Sequence, residues 1–211
     1  MKKTRVSFSS GGLVLEGILA IPEGAGPFPA VIVCHPHPLY GGSMDNNVVC
    51  NLSETLTQAS LASFKFNFRG VGGSQGEFDQ GIGEREDVEA AISFISTVKE
   101  VDSKRIGLAG YSAGAGFALP VGFNDARIKA LAAVSPPLPM FDFDFLKSCP
   151  KPKLFISGSR DNLIPTAQFL EFCQNLPEPK ECESIEGADH FWWGYESSLV
   201  AKVTAFFTRV L

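Results

Sequence analysis

The segment Arg105–Leu119, RIGLAGYSAGAGFAL, restricts the fold more than any other part of the chain. A short apolar run, Ile106 to Ala109, has the length of a strand. The turn Gly110-Tyr111-Ser112-Ala113-Gly114 follows at once, and Phe117, Ala118 and Leu119 continue as a packed helix. Reversing from strand to helix in so few residues strains the central backbone and leaves no room for bulky Cβ groups on its neighbours. The small residues around Ser112 meet that demand. Strand, tight turn and helix in this order belong to an α/β sheet.

The rest of the chain repeats the alternation. Thr4–Ser9 and Leu13–Ala20 read as a hairpin around Ser10-Gly11-Gly12. Ala30–Cys34, AVIVC, is a β-branched run suited to a strand buried on both faces. Val48, Val49, Leu52, Leu56 and Ala59 fall at helical spacing, and Ser63–Phe68 alternates as a strand. Glu84, Glu86 and Asp87 load the first turn of a helix whose stripe is Val88, Ala91, Ile92, Ile95 and Val98. Pro120 is expected to bend or end the helix after the elbow. Strands over Ala130–Val134, Leu154–Ser157 and Lys180–Ile185 follow, with a helix opening near Pro165 and a last one over Ser198–Leu211. Pro136–Pro152 is irregular and too short for a large lid. The expectation is one domain, residues 1–211, with roughly eight mostly parallel strands and helices on both faces.

Composition narrows the partners. A chain of 211 residues with 45% hydrophobic and 19% charged residues can bury one sizeable core. A net charge of −5 argues against nucleic acid or an anionic membrane as partner. The start, Met-Lys-Lys-Thr-Arg, is basic, but the alternating Val6–Ser10 follows it in place of an apolar signal core. Cysteines 34, 50, 149, 173 and 182 form no C-x-x-C and no metal-ligand spacing; their odd number predicts reduced thiols and a cytoplasmic protein. Cys34 reads as a buried strand-end residue.

Reactive groups of an open α/β sheet gather beyond the carboxyl ends of its strands. Ser112, Asp161 and His190 each follow a strand, in that chain order. A serine hydroxyl needs a base to take its proton, and an imidazole titrates near neutrality. A carboxylate then fixes the imidazole's tautomer and stabilises its charged form. Asp142 and Asp144 are rivals for the acid, whereas Asp189 merely adjoins the histidine in sequence. Ala113, at a helix N-terminus, offers its N–H to a developing oxyanion. The second donor should come from the loop after AVIVC. Pro36 and Pro38 have no N–H, which leaves His35, His37 and Leu39, and His37 is the choice. His35-x-His37 as a metal pair lacks further ligands. The glycines at 70, 72, 73 and 76 are separated from the next helix by a long loop, unlike a phosphate-binding turn. Trp192 and Trp193 either wall a pocket or pack on the core.

The ordered set CHPHPLYGGSMDN, NFRGVGGSQG, GYSAG, GSRDNLIP and GADHFW resembles the α/β-hydrolases over almost the whole chain. It is most similar to the small, lidless bacterial branch near dienelactone hydrolases and the catalytic domains of prolyl-oligopeptidase-like enzymes. The resemblance implies an α/β-hydrolase fold without a large cap and a triad of Ser112, Asp161 and His190. It places an oxyanion donor in the loop of His35 to Leu39. Two positions depart from it: Pro36 stands where many relatives have glycine, and Ser112 stands where dienelactone hydrolases proper have cysteine. The expected activity is a cofactor-free carboxylesterase acting on a small acyl ester, as a monomer or small homo-oligomer. Peptidase and thioesterase activity with the same triad, or ligand binding without turnover, remain open from sequence.

Overall fold

The computed structural model describes residues 1–211. β1 (Lys2–Ser10) and β2 (Leu13–Ile21) form the hairpin, closed by Gly11 and Gly12 at positive φ. The chain then alternates through β3 (Phe28–Cys34), α1 (Asn47–Gln58), β4 (Ala62–Phe66), α2 (Ile82–Ser96), β5 (Val101–Tyr111), α3 (Ala113–Asn124) and β6 (Ile128–Val134). β7 (Lys153–Gly158), α4 (Thr166–Asn175), β8 (Lys180–Ile185) and α5 (Glu196–Val210) complete it. The eight strands form one sheet in the order β1-β2-β4-β3-β5-β6-β7-β8. Only β1–β2 and β2–β4 pair antiparallel, as the hairpin requires; every other pair is parallel.

Alternation along the central strands divides the core in two. Ala30, Ile32 and Cys34 of β3 face the layer of α2 and α3, while Val31 and Val33 face the layer of α1. A strand covered on both faces has no polar side, which is why AVIVC is apolar throughout. β4 is the instructive exception. Phe64 and Phe66 enter the first core, while Ser63 and Lys65 point under α1 and are buried too. Ser63 Oγ is bonded to Ser53 and Thr57, and the Lys65 ammonium donates to the Met44 carbonyl, Asp45 and Cys50. Burial of these groups is tolerated because each has a partner.

Glu84 does more at the start of α2 than face a helix dipole. It is fully buried, and its carboxylate accepts the N–H groups of Asp79 and Gly81 at 2.9 and 2.6 Å. Two expectations need correction. Pro120 does not end α3, which runs on to Asn124. Without an N–H, Pro120 makes no bond to the Gly116 carbonyl, and the helix continues for about one more turn beyond it. The reduced-thiol expectation fails for one pair: Cys173 at the end of α4 and Cys182 on β8 form a disulfide, with Cα atoms 6.2 Å apart. The pairing depends on α4 folding back beside the edge strand, a contact that cysteine spacing does not encode. Cys34, Cys50 and Cys149 are free. Between β6 and β7 the chain makes only a short 3-10 turn, Asp144–Ser148, so no cap covers the carboxyl edge of the sheet. No helix is long and apolar enough to cross a membrane.

Candidate active site

β3 and β5 are neighbours in the sheet, yet the helices that follow them pack on opposite faces. Such a switch point opens a crevice at the carboxyl ends of the strands. Ser112 stands in it. Its backbone lies at φ 53°, ψ −126°, outside the regions ordinary residues occupy. The flanking glycines are explained by contact. A Cβ on Gly110 would lie 2.5 Å from the Ala115 backbone, and one on Gly114 would lie 2.4 Å from the His35 carbonyl oxygen and 2.6 Å from that of Cys34. The elbow therefore closes against its own helix on one side and against the end of β3 on the other.

Asp161 and His190 sit on loops that are bonded to each other. The loop after β7 donates from Ser159 N to the Ile185 carbonyl and from Arg160 N to the Ala188 carbonyl, both at 2.9 Å. Gly187 N returns a bond to Ser159 Oγ at 2.9 Å. Gly158 permits this approach, since a Cβ there would lie 2.2 Å from the Ala188 oxygen. Asp161 is thereby brought to His190, whose Nδ1 lies 2.8 Å from Asp161 Oδ2. His190 Nε2 lies 3.0 Å from Ser112 Oγ. With Nδ1–H donating to the carboxylate, Nε2 is left to accept the serine proton. The second oxygen of Asp161 accepts the N–H groups of Leu163 and Ile164, each at 3.0 Å. These bonds stabilise a buried anion and set its orientation.

The three side chains named from the sequence thus meet, and the rival acids do not join them. Asp142 Oδ1 accepts from Asp144 N, and Asp144 pairs with Lys147, beside a separate surface hollow. Asp189 Oδ1 accepts the N–H groups of Phe191 and Trp192, shaping the turn after the histidine. Trp192 is fully buried at φ +65°, and its indole N–H donates to Ser135 Oγ at 3.1 Å. It belongs to the core, while Trp193 is exposed and neither indole lines the cleft.

Sequence reasoning passed over Tyr111, the variable residue of the elbow. Its hydroxyl donates to the backbone carbonyl of His190 at 2.6 Å. Burial raises the Tyr111 pKa well above the ordinary range, with Asp161 and Asp189 adding to the shift, so the hydroxyl remains a donor. The residue beside the serine thus holds the backbone of the histidine. Only the apolar strand end and the aromatic ring were legible in sequence; the partner 79 residues away was not.

The loop after β3 resolves the two remaining histidines. His35 is buried beneath the elbow. Its Nδ1–H donates to the Pro36 carbonyl at 2.6 Å, and its Nε2 accepts from Phe68 N at 3.1 Å. Burial pushes its pKa down to about 4, so the ring is neutral, with both nitrogens occupied. His37 caps the short turn Pro38–Tyr40: its Nδ1 accepts from Leu39 N at 3.2 Å. That bond spends the Leu39 N–H, whereas the His37 N–H has no acceptor within the protein. Burial lowers the His37 pKa, with Glu84 opposing, which favours a neutral ring protonated at Nε2. The Ala113 N–H, first in α3, has no partner four residues back along the helix. Both residues line the same cleft as Ser112 and His190, a space of about 600 Å³. Cys34 lies in the core, where burial, reinforced by Asp87, raises its thiol pKa and removes it from the chemistry.

The dienelactone hydrolase family model matches residues 79–198, a stretch that contains the serine, the aspartate and the histidine. An uncharacterized protein of Rickettsia prowazekii is 34% identical over 172 residues, covering 78% of this chain and 72% of that one. The structure of an alpha-beta serine hydrolase homologue from Coxiella burnetii is 33% identical with a TM-score of 0.88, covering 97% of each chain. A serine hydrolase without lid from Xanthomonas campestris is 26% identical with a TM-score of 0.88, covering 100% of this chain and 96% of that one. The chain has the α/β-hydrolase fold and belongs to the dienelactone hydrolase family.

Proposed function

We propose that the protein is a serine hydrolase of the carboxylesterase type. The observation that carries this reading is the unbroken hydrogen-bonded line Asp161–His190–Ser112, at 2.8 and 3.0 Å, ending on a strained serine beside an open cleft. Ser112 Oγ attacks the ester carbonyl carbon while His190 Nε2 takes its proton. The carbonyl oxygen becomes an oxyanion that the N–H groups of Ala113 and His37 stabilise. Collapse of the tetrahedral adduct expels the alcohol, which receives the proton from His190, and leaves the acyl group on Ser112. Water then gives a proton to His190 and attacks the acyl carbon; the second tetrahedral adduct collapses by breaking the bond to Ser112 Oγ, which takes that proton back from His190 as the acid is released. Asp161 keeps the imidazole in the tautomer each step needs.

The test is hydrolysis of a matched set of p-nitrophenyl ester, acyl thioester and p-nitroanilide carrying one short acyl group. The ester should have the highest kcat/KM, and Ser112→Ala should abolish turnover while far-UV circular dichroism is retained. Preference for the thioester or anilide would replace the carboxylesterase assignment. Undiminished turnover in Ser112→Ala would remove the serine mechanism.

A further inference from the structure

The walls of the cleft indicate which esters the hydrolase reading should be narrowed to. No Asp, Glu, Lys or Arg lines the space around Ser112. Tyr40, Met140, Leu163 and Phe191 do, and they are 84%, 68%, 59% and 57% exposed. Large apolar side chains left in water singly are ordinary, but four around one opening mark a surface kept for a ligand. Two neutral polar side chains stand in the same wall. Asn46 uses its Oδ1 to accept from Val48 N, and His37 uses its Nδ1 to accept from Leu39 N. What each still presents is an uncharged N–H donor, fit for a neutral acceptor oxygen.

We propose that this cleft selects uncharged esters with an apolar acyl chain or ring and discriminates against acyl groups that carry a carboxylate, with Met140 and Leu163 as specificity-determining residues. The inference rests on the hydrolase reading and adds the substrate class to it. A carboxylate entering the cleft gives up water and meets no cation, so its hydration is lost without an ion pair in return. An alkyl chain of the same length loses only unfavourable contact with water.

The assay compares p-nitrophenyl pentanoate with p-nitrophenyl hemiglutarate, whose acyl chains match in length but end in methyl and carboxylate. Spontaneous hydrolysis is subtracted from both. The expected ratio of kcat/KM, neutral over charged, is on the order of 100-fold. Met140→Arg or Leu163→Arg, each placing a cation at an exposed position on the wall, should narrow the ratio by at least about threefold. A wild-type ratio below about tenfold, or two arginine variants that both leave it unchanged, overturns the proposal. Fluorophosphonate labelling of the same preparation separates the two readings. If Ser112 labels and the ratio is low, the selectivity alone falls. If Ser112 never labels, the hydrolase reading falls and the selectivity falls with it.

Discussion

Tyr111→Phe removes one oxygen and keeps the ring, so it isolates the bond to the His190 carbonyl. That bond is 2.6 Å long and lies in the interior, with Tyr111 only 2% exposed. No other donor in the protein reaches the carbonyl. Leaving a buried acceptor unpaired costs about 1–3 kcal/mol. Tyr111 is covalently joined to Ser112, so the lost bond loosens the base relative to the nucleophile. If about 1.4 kcal/mol of that cost is expressed at the transition state, kcat falls about tenfold. KM, set by cleft walls that keep the same ring, should stay within about twofold. For a chain of this size each 1 kcal/mol lowers Tm by about 2–4 °C. The assay is steady-state hydrolysis of a p-nitrophenyl ester, paired with thermal melting. A variant with a lower Tm and an unchanged kcat would show that the hydroxyl only supports the fold, refuting the positioning argument. A rise in KM with constant kcat would refute it as well.

Three further outcomes are expected. Asp161→Asn keeps the shape of the acid but favours the wrong histidine tautomer, so kcat should fall by about 10³–10⁴ while the fold survives; a loss under tenfold would point to another acid. Gly114→Ala drives a Cβ to 2.4 Å from the His35 carbonyl oxygen and should destabilise the protein by about 2–4 kcal/mol in urea, whereas a neutral result would contradict the close packing of the elbow. His35 titrates at about 4 in the folded chain, below its ordinary 6.5, so the unfolded chain binds the extra proton between those values. Its contribution is full above about pH 7, declines as pH falls from 6.5 to 4 by about 1.4 kcal/mol per unit, and totals about 3 kcal/mol. Urea unfolding at pH 7, 6, 5 and 4 should show that slope in the wild type and a shallower one in His35→Gln; equal slopes would contradict it.

Much of the fold was legible because local and global demands coincide. AVIVC can only be a strand covered on both faces, and the glycines at 110 and 114 mark places where two backbones touch. Ser112, Asp161 and His190 could be named because open α/β sheets place reactive groups after strands, but chain order left Asp142 and Asp144 as rivals, and only the contact between Asp161 and His190 separates them. What escaped was contact between distant segments. The Cys173–Cys182 disulfide depends on α4 lying against β8. The bond from Tyr111 to His190 depends on β5 and the last loop meeting at one edge. Alternation marked Ser63 and Lys65 as the polar side of β4 but not their cover: Ser63 is bonded to Ser53 of α1, and Lys65 to the Met44 carbonyl just before it. Pro120 was read by local rule as a bend or an end, and its helix runs on past it to Asn124.

The measurement that bears most directly on the mechanism is reaction of the folded protein with a small alkyl fluorophosphonate, followed by peptide mass mapping. One adduct is expected, on the Ser112 hydroxyl, formed at a rate that His190→Gln lowers by about 10² or more. A folded protein that gains no adduct, or gains it elsewhere at the same rate in wild type and in His190→Gln, would contradict it.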